Sequence, residues 1–157
     1  MNPLTQMNNI EYKHTVPFVP PVTSGKVIKV YDGDTITIAS KLPMRNSPIY
    51  RFSVRLNGID TPEIKTKNAN EKEIAQKARN YLSDLILHKH VQLKQVTTEK
   101  YGRLLAEVYF DDIHINQHLI SKKYAVTYDG GTKQNPNDWK EYHYSVSYTH
   151  LTLPTKA

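Results

Sequence analysis

The sequence predicts an α+β fold: a five-stranded β-barrel with one helix inserted after the third strand and a short C-terminal helix. Three observations carry that expectation. Short β-branched segments recur at 26–31, 35–40, 49–59, 91–96 and 104–110, separated by turn residues. The apolar period changes to that of a helix only after residue 70. At 157 residues, the chain has the size of one domain with its own core.

Residues 1–24 are polar, carry Pro17, Pro20 and Pro21 close together, and read as an extended N-terminal arm. KVIKVY and TITIAS then alternate as strands one and two, and the Asp-Gly pair between them marks a hairpin. KLPMRNSP is a loop. In IYRFSVRLNGI, residues Ile49, Arg51, Ser53 and Arg55 alternate with Tyr50, Phe52, Val54 and Leu56, so strand three has a cationic and an apolar face. Ile74, Ala75, Ala78, Tyr81, Leu82, Leu85 and Ile86 form one helical stripe, with Asn70 and Glu73 placed for a variant capping box. VQLKQV is strand four, EKYGR a turn, and LLAEVYF a fifth strand ending at Asp111 and Asp112. A short helix is expected over Asn116 to Lys122.

Five short strands with a helix after the third fit a closed OB-fold barrel, a type often used to hold oligonucleotides on one face. An antiparallel sandwich is the competing architecture. Past Trp139, SVSYTHLTLPTKA has neither helical nor clean strand periodicity, so 141–157 is expected to be an irregular tail, with the look of translated adapter sequence.

Lys and Arg number 21 against 15 Asp and Glu, a formal charge of +6 that favours a polyanionic partner. The absence of cysteine excludes disulfides, thiolate metal sites and a cysteine nucleophile. The first 25 residues show no basic start followed by an apolar run, and no stretch approaches the ~20 apolar residues of a membrane span. The expectation is therefore a monomer away from membranes, cytoplasmic by default. His88 with His90, and His114 with His118, lack a third zinc ligand and read as surface or partly buried histidines. Most of the 11 tyrosines are expected to pack against the barrel.

Two acidic turns stand out: Asp32-Gly33-Asp34 after strand one, and Asp60 to Glu63, within GIDTPE, after strand three. Each alone is an ordinary turn. Carboxylates gathered at one barrel end repel one another unless a cation sits among them, and oxygen ligands suit a hard ion such as Ca²⁺. Arg55 lies just before the second acidic turn, and Arg103 just past EKYG. For Arg103 alone, a solvated surface role is the ordinary reading. A metal, two guanidinium groups and a spare carboxylate together are what phosphodiester hydrolysis requires.

VYDGDTITI, RLNGIDTPE and EKYGRLLAEVY, in that order and at these separations, resemble the thermonuclease family, over roughly Lys26 to Lys133. The resemblance implies a thermonuclease-like OB domain over 25–140 and a Ca²⁺-dependent nuclease that cuts DNA and RNA and leaves 3′-phosphate ends. Carried over by position, Asp34 and Asp60 match the metal carboxylates, the Thr61 carbonyl a backbone ligand, and Asp32 an outer-sphere position. Glu63 matches the carboxylate that orients or deprotonates water. Arg55 and Arg103 match the two arginines on the scissile phosphate, and Lys100 with Tyr101 the pair on a neighbouring phosphate. A base-stacking tyrosine is expected near Tyr128, and a third helix after YDGGTK. The alternative is a noncatalytic nucleic-acid or protein binding module on the same barrel.

Overall fold

Strands β1 (Ser24–Asp32), β2 (Thr35–Lys41) and β3 (Ile49–Leu56) form an antiparallel meander in a computed structural model that describes residues 7–131 and 135–152, the last seven by backbone alone. After them come β4 (Ile59–Asp60), helix α1 (Ala69–Ile86), β5 (His90–Thr98), β6 (Leu104–Phe110), β7 (Ile113–His114), α2 (Ile115–Ser121), β8 (Val126–Thr127) and α3 (Trp139–Thr152). The order β3-β2-β1-β5-β6 is antiparallel throughout, and β6 returns to pair in parallel with β3. That last pairing closes five strands into a barrel. Closure leaves no open edge between the main strands. The fold is therefore an α+β OB barrel, with three helices among the described residues, and the sandwich alternative is excluded.

The alternation seen in the sequence fills the barrel. Val27, Ile36, Ile38, Val54, Leu56, Val91, Leu93, Leu104 and Val108 point inward, and Leu82 and Ile86 of α1 and Ile115 and Leu119 of α2 cover them. Each such side chain contributes about 1.5–3 kcal/mol on burial.

Helix α1 starts earlier than the sequence reading has it. Asn68 is the N-cap, its side chain accepting from the Glu71 backbone N–H at 2.9 Å. Asn70 instead donates toward Asp138 at 3.4 Å, so the Asn70/Glu73 capping box is not formed. An Asn-x-x-Glu pattern occurs at both registers, and the earlier one wins because Asn68 is extended and Asn70 is already helical.

The region from residue 141 also departs from expectation. Instead of an irregular tail, α3 runs from Trp139 to Thr152, begun by Asp138, whose Oδ1 accepts from the N–H groups of Lys140 and Glu141. Trp139 is buried, and Tyr142 reaches the Ala125 carbonyl. Residues 153–157 of the expected tail, and 1–6 of the expected arm, lie outside the described residues. From Met7 the arm has one 3₁₀ turn, Tyr12–His14, and is mostly exposed until Val22 enters the core. Among the described residues, no helix is long and apolar enough to cross a membrane.

Candidate active site

The strand that reads as continuous through Ile59 breaks at Asn57-Gly58. Gly58 has φ +81°, a conformation L side chains rarely adopt, and the break re-aims the chain into β4. β4 pairs with β8 through Ile59↔Thr127 and Asp60↔Val126, and Tyr128 N–H donates to the Gly58 carbonyl at 2.8 Å. Asn116 fixes the same corner from below. It is buried, its amide donates to the Asn57 and Ala106 carbonyls at 2.8 and 3.2 Å, and its Oδ1 accepts from Val108 N–H at 2.9 Å.

The two acidic turns meet at this corner. Gly33 lets them approach: a methyl group in its place would stand 3.0 Å from Ala78 Cβ and 3.1 Å from Thr61 Cγ2. Asp34 is 7% exposed and Asp60 2%. Arg55 lies between them, with Nη2 at 3.5 Å from Asp34 Oδ2 and 3.6 Å from Asp60 Oδ1. Its Nη1 also donates to the Leu56 carbonyl at 3.3 Å. Two buried carboxylates thus share the guanidinium of Arg55.

Asp32 accepts from Asp34 N–H at 3.1 Å, and its carboxyl is pushed up to about 7, chiefly by burial and then by the Asp34 carboxylate, with Glu63 adding to the effect. A proton on Asp32 relieves its repulsion with Asp34. Thr61 and Pro62 are buried and Glu63 is exposed, so the second acidic turn lifts Glu63 toward solvent. Glu71 secures that turn, accepting from Glu63 N–H at 2.9 Å and from the Thr66 hydroxyl at 3.2 Å.

Arg55 and Arg103 line one cleft of about 430 Å³ with Asn57, Glu99, Leu105 and Tyr128. The parallel register that closes the barrel, Val54↔Leu104 and Arg55↔Leu105, brings the two arginines there. Arg103 is ion-paired to Glu99, four residues earlier. The guanidinium of Arg55 stacks over Tyr128, 5.5 Å from its ring centroid. Lys100 and Tyr101 project from a 3₁₀ turn beside Arg103, where Tyr101 takes φ 68° and is fully exposed. The structure thus brings Asp32, Asp34, Asp60, Thr61, Arg55, Arg103 and Tyr128 to one barrel end, with Glu63, Lys100 and Tyr101 at its rim. Among the described residues, no group of three or more His, Asp or Glu side chains is placed to hold a metal ion.

The histidines take other work. His114 pairs with Glu107 at 2.9 Å, and His118 meets the Tyr81 hydroxyl at 2.6 Å.

The family model described as "Staphylococcal nuclease homologue" matches residues 53–147. This chain belongs to the staphylococcal nuclease family. The match contains Arg55, the Asp60 turn, Arg103 and the β3–β6 closure. Relatives in the family include a protein of Haemophilus influenzae named an uncharacterized endonuclease, 35% identical over 66% of this chain and 51% of that protein. A probable endonuclease of Schizosaccharomyces pombe is 30% identical over 68% of this chain and 56% of its own length. The thermonuclease of Staphylococcus hyicus is 30% identical over 64% of this chain and 56% of its own length. The chain spans about half the length of the curated relatives it matches.

Three positioning residues were not singled out in the sequence. Glu99 had no signal, because the four-residue pairing distance applies along a helix and EKYGR reads as a turn. Glu71 had a weak one as the third residue after Asn68. Asn116 had no signal beyond its polar character between Ile115 and Leu119.

Proposed function

We propose that this chain is a Ca²⁺-dependent endonuclease that hydrolyses phosphodiester bonds of DNA and RNA with little sugar discrimination, leaving 3′-phosphate ends. The observation that carries this reading is Arg55 held between two buried carboxylates, with Arg103 across the same cleft. The all-oxygen donor set of Asp34, Asp60 and the Thr61 carbonyl, with Asp32 outside them, fits a hard cation. Bound there, Ca²⁺ would supply Lewis-acid polarisation of a phosphoryl oxygen.

Arg55 and Arg103 bind the non-bridging phosphate oxygens through charge-assisted hydrogen bonds, Arg103 exchanging Glu99 for the phosphate. Glu63 orients the attacking water and takes its proton. The new bond forms from water oxygen to phosphorus and the bond to the 5′ oxygen breaks, that oxygen taking a proton from solvent while Glu63 returns to solvent the one it accepted. Phosphate stays on the 3′ side. Lys100 and Tyr101 hold a neighbouring phosphate, and Tyr128 stacks a base.

A second reading, the noncatalytic binding module, is favoured by the lack of a three-residue metal-holding group among the described residues. Steady-state cleavage of single-stranded DNA with Ca²⁺ or EDTA separates the two, using Arg103→Ala as the variant. The nuclease reading expects Ca²⁺-dependent turnover and a loss of about 10²-fold or more in kcat/KM for the variant. DNA that binds but is not cut by the wild type supports the binding module.

A further inference from the structure

The side chains of β3 that point outward continue beyond Arg55. Ser53, Arg51 and Ile49 follow it at two-residue steps, all exposed, so Arg51 stands about 13 Å from Arg55 along the strand. In register beside them lie Thr37 and Lys29 at the level of Ser53, and Ala39 and Lys26 at the level of Arg51. The three strands β1, β2 and β3 contain Lys26, Lys29, Lys41, Arg51 and Arg55 but one acid, Asp32, at the catalytic end. Among the described residues, Arg51 makes no ion pair or side-chain hydrogen bond.

Two hollows lie along this row. One, of about 530 Å³, is lined by Ser53, Lys100, Tyr101, Gly102 and Arg103, and so begins at the candidate active site. The other, of about 470 Å³, is lined by Ile28, Ala39, Ile49, Tyr50 and Arg51, with Ile28, Ile49 and Tyr50 substantially exposed. A cationic row flanked by apolar and aromatic hollows is the arrangement that follows a single-stranded backbone and stacks its bases. Proteins of this barrel type commonly engage roughly 4–16 nucleotides, more than the centre around Arg55 and Arg103 can contact.

We propose that single-stranded nucleic acid runs from the Arg55 phosphate site along the outer face of β3, with Arg51 on a remote phosphate and a base in the Ile28–Ile49–Tyr50 hollow. This rests on the nuclease reading for its starting point only. The occupant is a nucleic acid strand because the face is continuous with the candidate site and nearly free of acids.

The test uses Arg51→Glu and Tyr50→Ala, both at exposed positions outside the catalytic set. Binding of a fluorescent 20-nucleotide DNA is measured by anisotropy in EDTA, with a three-nucleotide DNA as competitor. Arg51→Glu is expected to weaken the 20-mer at least about fivefold at low salt, to lower the slope of log affinity against log salt by about one, and to leave the three-nucleotide competitor unchanged. Tyr50→Ala is expected to weaken the 20-mer with little change in slope. Unchanged 20-mer affinity in Arg51→Glu, or an equal loss for both lengths, overturns the path. Cleavage plays no part in this readout. A wild type that binds the 20-mer through Arg51 but cuts nothing therefore retains the path and removes the nuclease reading.

Discussion

Replacing Arg55 with Gln tests how the acidic corner is held together. Arg55 Nη2 lies 3.5 and 3.6 Å from two carboxylates whose side chains are 11% and 3% exposed. At an effective dielectric of about 20, each contact at such distances is worth about 4–5 kcal/mol before desolvation. Desolvation of all three groups cancels much of this, yet removing one partner of a buried pair typically costs about 3–5 kcal/mol, because the remaining charge stays buried. The expected loss for Arg55→Gln is therefore about 3 kcal/mol. With a urea m-value of about 1.5–2 kcal/mol per M, the midpoint falls by about 1.5–2 M. Arg51→Gln, on the exposed end of the same strand, is the control and is expected to stay within about 0.5 kcal/mol. Equilibrium urea unfolding followed by fluorescence reads both. A loss below about 1 kcal/mol for Arg55→Gln would refute the bridging role.

Gly33→Ala places a methyl group against Ala78 and Thr61, and is expected to cost about 1–3 kcal/mol while lowering any metal-dependent activity more than stability alone explains. Asn116→Leu leaves the Asn57 and Ala106 carbonyls and the Val108 N–H without their side-chain partner, for an expected loss of about 2–3 kcal/mol in thermal or urea unfolding. His118, beside the Tyr81 hydroxyl, is held below its usual range by burial and by Lys122. Its folded pKa is depressed, so its contribution is complete above the ordinary histidine value of about 6.5 and is lost as pH falls through the folded value. His118→Gln should flatten that acid slope, measured as unfolding free energy against pH. An unchanged slope would remove His118 as its source.

The barrel was legible because each strand carries its own alternation, and the apolar stripe of Ile74, Ala78, Leu82 and Ile86 left no other period for α1. At the candidate site the two acidic turns and the strand-end arginines stand out by residue type and position, each ordinary when taken alone, whereas the places of Thr61, Lys100, Tyr101 and Tyr128 in it come only from the family resemblance. What was hidden depends on contacts distant in sequence. The parallel β3–β6 register, which brings Arg55 to Arg103, has no local signature. Nor does the Gly58 break, since a glycine in an alternating segment signals only an irregularity. A third helix after YDGGTK is implied by the resemblance alone; the run of α3 past residue 141 has no signal in the sequence because it depends on the Asp138 cap and the burial of Trp139 rather than on a periodic apolar face.

On the proposed reading, the acidic corner and the two arginines form one hydrolytic site. That reading is tested most directly by cleavage of a single-stranded DNA oligonucleotide in Ca²⁺, comparing wild type with Glu63→Gln prepared identically. The expected result is cutting that EDTA abolishes, that leaves 3′-phosphate ends, and that falls by about 10²–10⁴-fold in the variant. Equal cutting by the two proteins, or none by the wild type while DNA remains bound, would contradict it.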